Sequence, residues 1–122
     1  LPRVVTREQV QAWLDAYVEA WRSYDPEAIG ALFSADATYR YRPYQEPVRG
    51  RDAIVAAWDD DRDEPGSWDA EYAPSLIAGE RVIVTGETRY TSGRTFSNLW
   101  ELTFDDDGRC RDFVEWYMEH RD

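Results

Sequence analysis

The 122-residue chain predicts an α+β domain: helices in the first half, and most of an antiparallel sheet in the second. Three observations carry this. Apolar residues recur at helical spacing from Val10 to Trp21, four β-rich stretches fill Trp68 to Glu119, and only short, turn-rich connectors separate those stretches. At 14.3 kDa the chain is one domain, long enough to bury a core without staples.

The elements follow in order. Thr6-Arg7-Glu8-Gln9 reads as a capping box, Thr6 accepting from the Gln9 amide and Gln9 reaching back. Behind it Val10, Trp13, Leu14, Tyr17, Val18 and Trp21 form one face of a helix ending near Ser23. Asp25 caps a short second helix with Pro26 at its first position, and Ile29, Leu32 and Phe33 are its apolar residues. Ala37 to Tyr44 alternates large side chains before and around Pro43 and reads as a first strand. Gly50-Arg51-Asp52 opens a third helix, from Ala53 to about Trp58. Strands are expected over Trp68–Ile77, Arg81–Tyr90, Thr95–Phe104 and Arg109–Glu119, and their tight connectors make them antiparallel neighbours.

Composition excludes several functions. Twenty-five acidic residues against fourteen basic ones give a net charge of −11, which repels nucleic acid and anionic membrane surfaces. Every basic residue is Arg, so Schiff-base chemistry and a P-loop lysine are absent. Lone Cys110 excludes an internal disulfide and a multi-cysteine zinc site, and reads as a buried small hydrophobe. Single His120, expected to be exposed and free, argues against a His-based metal centre or triad. No metal and no cofactor is expected. No apolar run reaches the ~20 residues of a membrane span, so the cytoplasm is the expected compartment. The chain opens on Leu1 rather than Met, and residues upstream of it are expected. The runs around Asp59-Asp61-Asp63 and Asp105-Asp107 lack the glycine of an EF-hand loop and read as solvated turns, as does Asp36.

Strand parity divides the last two strands into faces. Phe113, Glu115 and Tyr117 share one face with Asn98, Trp100 and Leu102 as inward neighbours; Val114, Trp116 and Met118 share the other. An apolar outer face on a sheet covered on one side predicts a homodimer packed through Val114, Trp116 and Met118. The inward set with Tyr17, Trp21, Tyr39, Tyr41 and Trp58 is rich in hydroxyls and indole N–H groups that need partners when buried. A small-molecule pocket with aromatic walls accounts for this composition; a plain aromatic core with hydroxyls reaching the rim is the alternative.

Ala31-Leu32-Phe33-Ser34-Ala35-Asp36-Ala37-Thr38, then Val48-Arg49-Gly50-Arg51-Asp52-Ala53-Ile54, resembles the SnoaL-like group of the nuclear transport factor 2-like superfamily. Gly93-Arg94-Thr95-Phe96-Ser97-Asn98 and Phe104-Asp105-Asp106-Asp107-Gly108-Arg109 are similar to the same group's closing strands. The resemblance implies a cone-shaped α+β barrel, commonly dimeric, in which a long helix and a curved sheet enclose a cavity; with the elements read above, three N-terminal helices pack on a curved antiparallel sheet around a pocket. The superfamily includes ketosteroid isomerases, polyketide cyclases, epoxide hydrolases, dehydratases and non-catalytic members, so fold alone does not give function. Tyr17 falls where the ketosteroid isomerases keep an oxyanion-hole tyrosine. Tyr41 and Trp100 stand where those enzymes carry their two aspartates, which argues against their mechanism.

Glu115 is the acid whose parity places it among the aromatics, where desolvation would raise its pKa and suit it to general acid–base work. An ion pair with Arg89 is the structural alternative. Tyr17 and Tyr41 are the candidate donors to a carbonyl or enolate, or else core tyrosines bonded to each other or to Asn98. Trp21, Tyr39, Trp58, Asn98, Trp100, Phe113 and Tyr117 are the candidate ligand-binding residues. The expected ligand is a small, apolar, oxygenated molecule, either turned over by proton transfer or simply held.

Overall fold

The computed structural model describes residues 4–121. Helix α1 (Arg7–Ser23) begins with the capping box intact: the Gln9 amide donates to Thr6 Oγ1 at 3.1 Å, and the Thr6 amide donates to Gln9 Oε1 at 2.9 Å. The helix buries Val10, Trp13, Leu14, Tyr17 and Ala20. It ends where Tyr24 takes a left-handed conformation, φ 51°, uncommon for a residue with a bulky side chain. Asp25 then caps the five-residue α2 (Pro26–Gly30), which stops before the expected Leu32 and Phe33. Leu32 instead carries its carbonyl to the Trp13 indole (2.9 Å) and to the Cys110 amide (2.8 Å), so this segment is already pairing with the sheet.

Strand β1 therefore covers Phe33–Arg40, four residues earlier than its expected start, and Tyr41 to Tyr44 lie in the bend after it. Asp36 sits within this strand rather than in a turn, accepting from Ser34 Oγ at 3.1 Å. Two residues, Val48–Arg49, form β2, which sequence periodicity cannot reveal at that length. Helix α3 spans Arg51–Asp60, and β3 (Trp68–Ala78), β4 (Arg81–Tyr90), β5 (Thr95–Phe104) and β6 (Cys110–Glu119) complete the chain within a residue of expectation.

One six-stranded sheet has the order β2-β1-β6-β5-β4-β3. The meander β3 to β6 is antiparallel as expected, but β1 lies parallel to β6, so the sheet is mixed. The distance in sequence between β1 and β6 frees their pairing from the antiparallel rule that a hairpin imposes. Its edges β2 and β3 do not pair, and the cone is an open one, α1 and α3 covering its inner face. The narrow end is filled by Phe33, Phe104, Phe113, Leu14, Leu102, Val82 and Val84, all essentially without solvent contact. Among the described residues no helix is long and apolar enough to cross a membrane.

Candidate functional site

The wide end holds a cavity of about 630 Å³. Both the helices and the sheet reach it. The C-terminal half of α1 contributes Tyr17 and Trp21, followed by Tyr24, the residue that ends the helix; Tyr39 comes from β1, with Tyr41, Arg42 and Gln45 from the bend after it. Trp58 and the rim acids Asp60, Asp61 and Asp63 come from the end of α3 and beyond. Tyr72, Thr88, Tyr90, Phe96, Asn98, Trp100, Glu115 and Tyr117 line it from the sheet. Period-two alternation sets this wall, and wall residues meet their cross-strand partners on one face: Thr88 opposite Phe96, Trp100 opposite Glu115, Asn98 opposite Tyr117.

Glu115 is the acid at the centre. Its Oε2 accepts from Asn98 Nδ2 at 2.8 Å and from the Trp100 indole Nε1 at 3.0 Å. Oε1 accepts nothing from the described residues, and since none of their buried side-chain oxygens lacks a partner, it faces the open cavity. Burial pushes the carboxyl above its ordinary pKa; the two N–H donors and the Arg42 charge pull it back only in part. Arg89 is not its partner. That guanidinium lies on the outer face and is engaged by Glu87 (2.9 Å), Asp69 (3.2 Å) and Glu71 (3.2 Å). Thr88 faces inward, so its neighbour Arg89 must face outward. Arg42 makes no ion pair with the other described residues and rests over the Tyr117 ring, 5.4 Å from its centroid, while Arg94 is held by both oxygens of Glu119.

Across from Glu115 the Tyr17 and Tyr39 hydroxyls share a 3.0 Å hydrogen bond, and burial raises both well above the ordinary tyrosine pKa. One proton serves the shared bond, which leaves the second free to be donated. Tyr41, half-buried, has no hydrogen-bond partner among the described residues, and burial pushes its pKa up to about 12. Along the sheet wall Tyr72 Oη lies 2.6 Å from Thr88 Oγ1, which lies 2.8 Å from Asn98 Oδ1.

Nine of the residues expected at a site thus border one cavity: Tyr17, Trp21, Tyr39, Tyr41, Trp58, Asn98, Trp100, Glu115 and Tyr117. Phe113 does not. It has no exposed surface and lies beneath the wall, stacked on Tyr39 with centroids 4.2 Å apart and planes 6° from parallel. The register places it one residue pair deeper than Glu115, opposite Leu102, within the packed end. Residues outside the expected set also border the cavity. Tyr72, Thr88 and Tyr90 were open to discovery, since they continue the inward alternation of β3 and β4. Tyr24 and Asp63 were not, because a turn conformation and a loop bond place them. The Asp63 amide donates to Tyr24 Oη at 2.8 Å, and its carboxylate accepts from the Trp21 indole at 3.0 Å. The Asp59–Asp63 run is therefore not merely a solvated turn; its end is pinned to α1. His120 likewise is exposed but not free, its Nε2 lying 2.8 Å from Ser97 Oγ. Among the described residues no group of three or more His, Cys, Asp or Glu side chains is placed to hold a metal ion.

The sequence pattern of the SnoaL-like domain matches residues 14–118. The chain belongs to the SnoaL-like domain family. No curated protein sequence matches it. Among solved structures, this SnoaL-like domain superposes on a Kribbella flavida DSM 17836 protein provisionally named a ketosteroid isomerase, with a TM-score of 0.72 and 19% identity, covering 95% of this chain and 82% of that one. It also superposes on an NTF-2 like protein of unknown function from Burkholderia xenovorans LB400, with a TM-score of 0.74 and 18% identity, covering 94% of this chain and 87% of the other. At such identities the likeness is one of fold.

Proposed function

We propose that this SnoaL-like domain binds a small, largely apolar, oxygen-bearing molecule and moves a proton on it, with Glu115 as the base. The supporting observation is the carboxyl itself: it opens on the cavity through Oε1, and no arginine among the described residues is hydrogen-bonded to it. A base needs a vacant lone pair and a pKa drawn toward neutrality, and burial supplies the second. In the scheme, Oε1 takes a proton from the carbon beside a ligand carbonyl. The C–H electron pair forms a C=C bond as the carbonyl π pair moves onto oxygen. The Tyr17–Tyr39 pair or Tyr41 donates to that oxyanion; burial keeps all three hydroxyls protonated at neutral pH. Glu115 then returns the proton to the same carbon or to one conjugated with it, which makes the net reaction an exchange or an isomerisation.

Cavity size suits a molecule of two or three fused rings. The rim acids Asp60, Asp61 and Asp63, and the net charge of −11, favour a neutral or cationic ligand over an anion. The expected association of two copies enters the same proposal: Val114, Trp116 and Met118 continue with Leu99 as an apolar strip on the outer face, Met118 being 73% exposed.

A second reading is a domain that holds its ligand unchanged, favoured by the two N–H donors that also fix Glu115 as a plain wall group. The enolisable bicyclic ketone 2-tetralone separates the two. Its binding is followed by quenching of tryptophan fluorescence, and its α-proton exchange in D2O by NMR. The proposal expects the protein to bind the ketone and accelerate exchange, and Glu115→Gln to keep binding while losing the acceleration. Acceleration retained in Glu115→Gln removes Glu115 from the scheme; binding without acceleration in the wild type establishes the holding domain.

A further inference from the structure

The bonds along the sheet wall have only one consistent direction. The Trp100 indole can only donate, and Glu115 Oε2 therefore acts as an acceptor whether or not the carboxyl is ionised. Asn98 meets that same oxygen with its amide nitrogen, which turns its Oδ1 toward Thr88. Oδ1 has no proton, so Thr88 must donate to it. Having spent its single proton there, the Thr88 hydroxyl can only accept from Tyr72. The sequence of donation is Tyr72 to Thr88 to Asn98 to Glu115, one residue from each of β3, β4, β5 and β6. Thr88 and Asn98 are buried at 3% and 8% exposure, Tyr72 at 7%, so these bonds are largely shielded from bulk water.

We infer that Tyr72, Thr88 and Asn98 are positioning residues that act through Glu115, spending their protons in one direction so that Oε2 is held and Oε1 is left for the ligand. The inference rests on the proton-transfer reading of Glu115. Aligned donors polarise one another, so the chain strengthens its last bond and favours the ionised carboxylate. It opposes burial, which favours the neutral acid; a carboxyl that must both lose and regain a proton needs the two in near balance. Tyr72 presents the cavity with lone pairs only, its proton being committed, whereas the Tyr17–Tyr39 pair and Tyr41 present protons. The two walls are chemically opposite. The other titratable or charged groups facing Glu115 are Tyr17 from α1, Tyr39 from β1, Tyr41 and Arg42 from the following bend, and Tyr90 from β4.

The test is the titration of Glu115 without any ligand, followed by the 13C shift of labelled glutamate carboxyls and assigned with Glu115→Gln. Thr88→Val keeps the shape and removes the donor to Asn98; it should raise the midpoint by about one pH unit, a tenfold loss of ionised fraction on the slope. Tyr72→Phe, one bond further away, should raise it by less, and Thr88→Ser should restore the wild-type midpoint. That graded order is not expected of a residue that only fills space. An unchanged midpoint in folded Thr88→Val overturns the inference. If Thr88→Val does not fold, Tyr72→Phe decides: an upward shift supports the chain and no shift overturns it. Because no ligand is present, failure here leaves the 2-tetralone result standing, and failure of 2-tetralone exchange leaves this one standing.

Discussion

Replacing Glu115 by Gln should stabilise the fold, and by an amount that depends on pH. The folded carboxyl holds its proton more tightly than the unfolded one, because burial outweighs its two N–H donors and the Arg42 charge. A group with a raised folded pKa contributes stability that is fully present below its unfolded pKa and is lost as pH rises through the folded value. The wild type therefore carries a growing penalty between the ordinary glutamate range and the shifted midpoint, constant above it. Gln keeps an oxygen for Asn98 and Trp100 and has no charge to desolvate. Each tenfold by which the fold tightens the proton corresponds to about 1.4 kcal/mol, or roughly 5 °C in Tm for a chain of this size. The assay is chemical unfolding of both proteins from pH 5 to pH 9. The isoelectric point near 4.5 sets the lower limit, where solubility falls. The difference between the two stability curves should rise with pH and then level off at the midpoint found by carboxyl titration. A difference that is flat across the range, or that falls as pH rises, refutes the account of Glu115 as a buried acid whose proton the fold retains.

Two further outcomes follow from packing. A Cβ at Gly86 would stand 2.3 Å from the Tyr72 ring and 2.2 Å from the Glu71 carbonyl, so Gly86→Ala must displace β3 at the head of the hydrogen-bond chain. Overpacking of this kind costs about 1–3 kcal/mol; the expected result is a lower urea midpoint together with an upward shift of the Glu115 titration, and a neutral substitution would refute the close approach. On the outer face, Met118→Asp should convert a particle of twice 14.3 kDa into one of 14.3 kDa in size-exclusion chromatography with light scattering. A wild-type chain that already elutes as a single copy refutes the outer-face association.

Much of the architecture is local in origin and so was readable residue by residue. The Thr6–Gln9 box, the 3.6-residue stripe of α1 and the tight connectors of β3 to β6 depend on neighbours a few positions away. Parity alone brought Asn98, Trp100, Glu115 and Tyr117 to one wall. The expectations that failed were those in which distant chain decides. Leu32 and Phe33 continue the helical spacing of α2, yet their backbone pairs with Cys110, and the sheet takes them. Parity without register allowed Arg89 to be set beside Glu115, whereas the pairing of β4 with β3 and β5 turns it outward into three carboxylates.

Composition and periodicity were sufficient for the α+β class and an aromatic interior with Glu115 among its walls, while the short motifs from Ala31 to Thr38, Val48 to Ile54, Gly93 to Asn98 and Phe104 to Arg109 carried the SnoaL-like resemblance. They could not say that Phe113 lies below the cavity and Glu115 within it, because alternation assigns a face and not a depth. Nor could they show that Asp63 closes onto Trp21, or that Tyr72, Thr88 and Asn98 donate in sequence toward one carboxylate oxygen. Hydrogen bonds across strands require register, and register is settled only when the whole sheet packs against its helices.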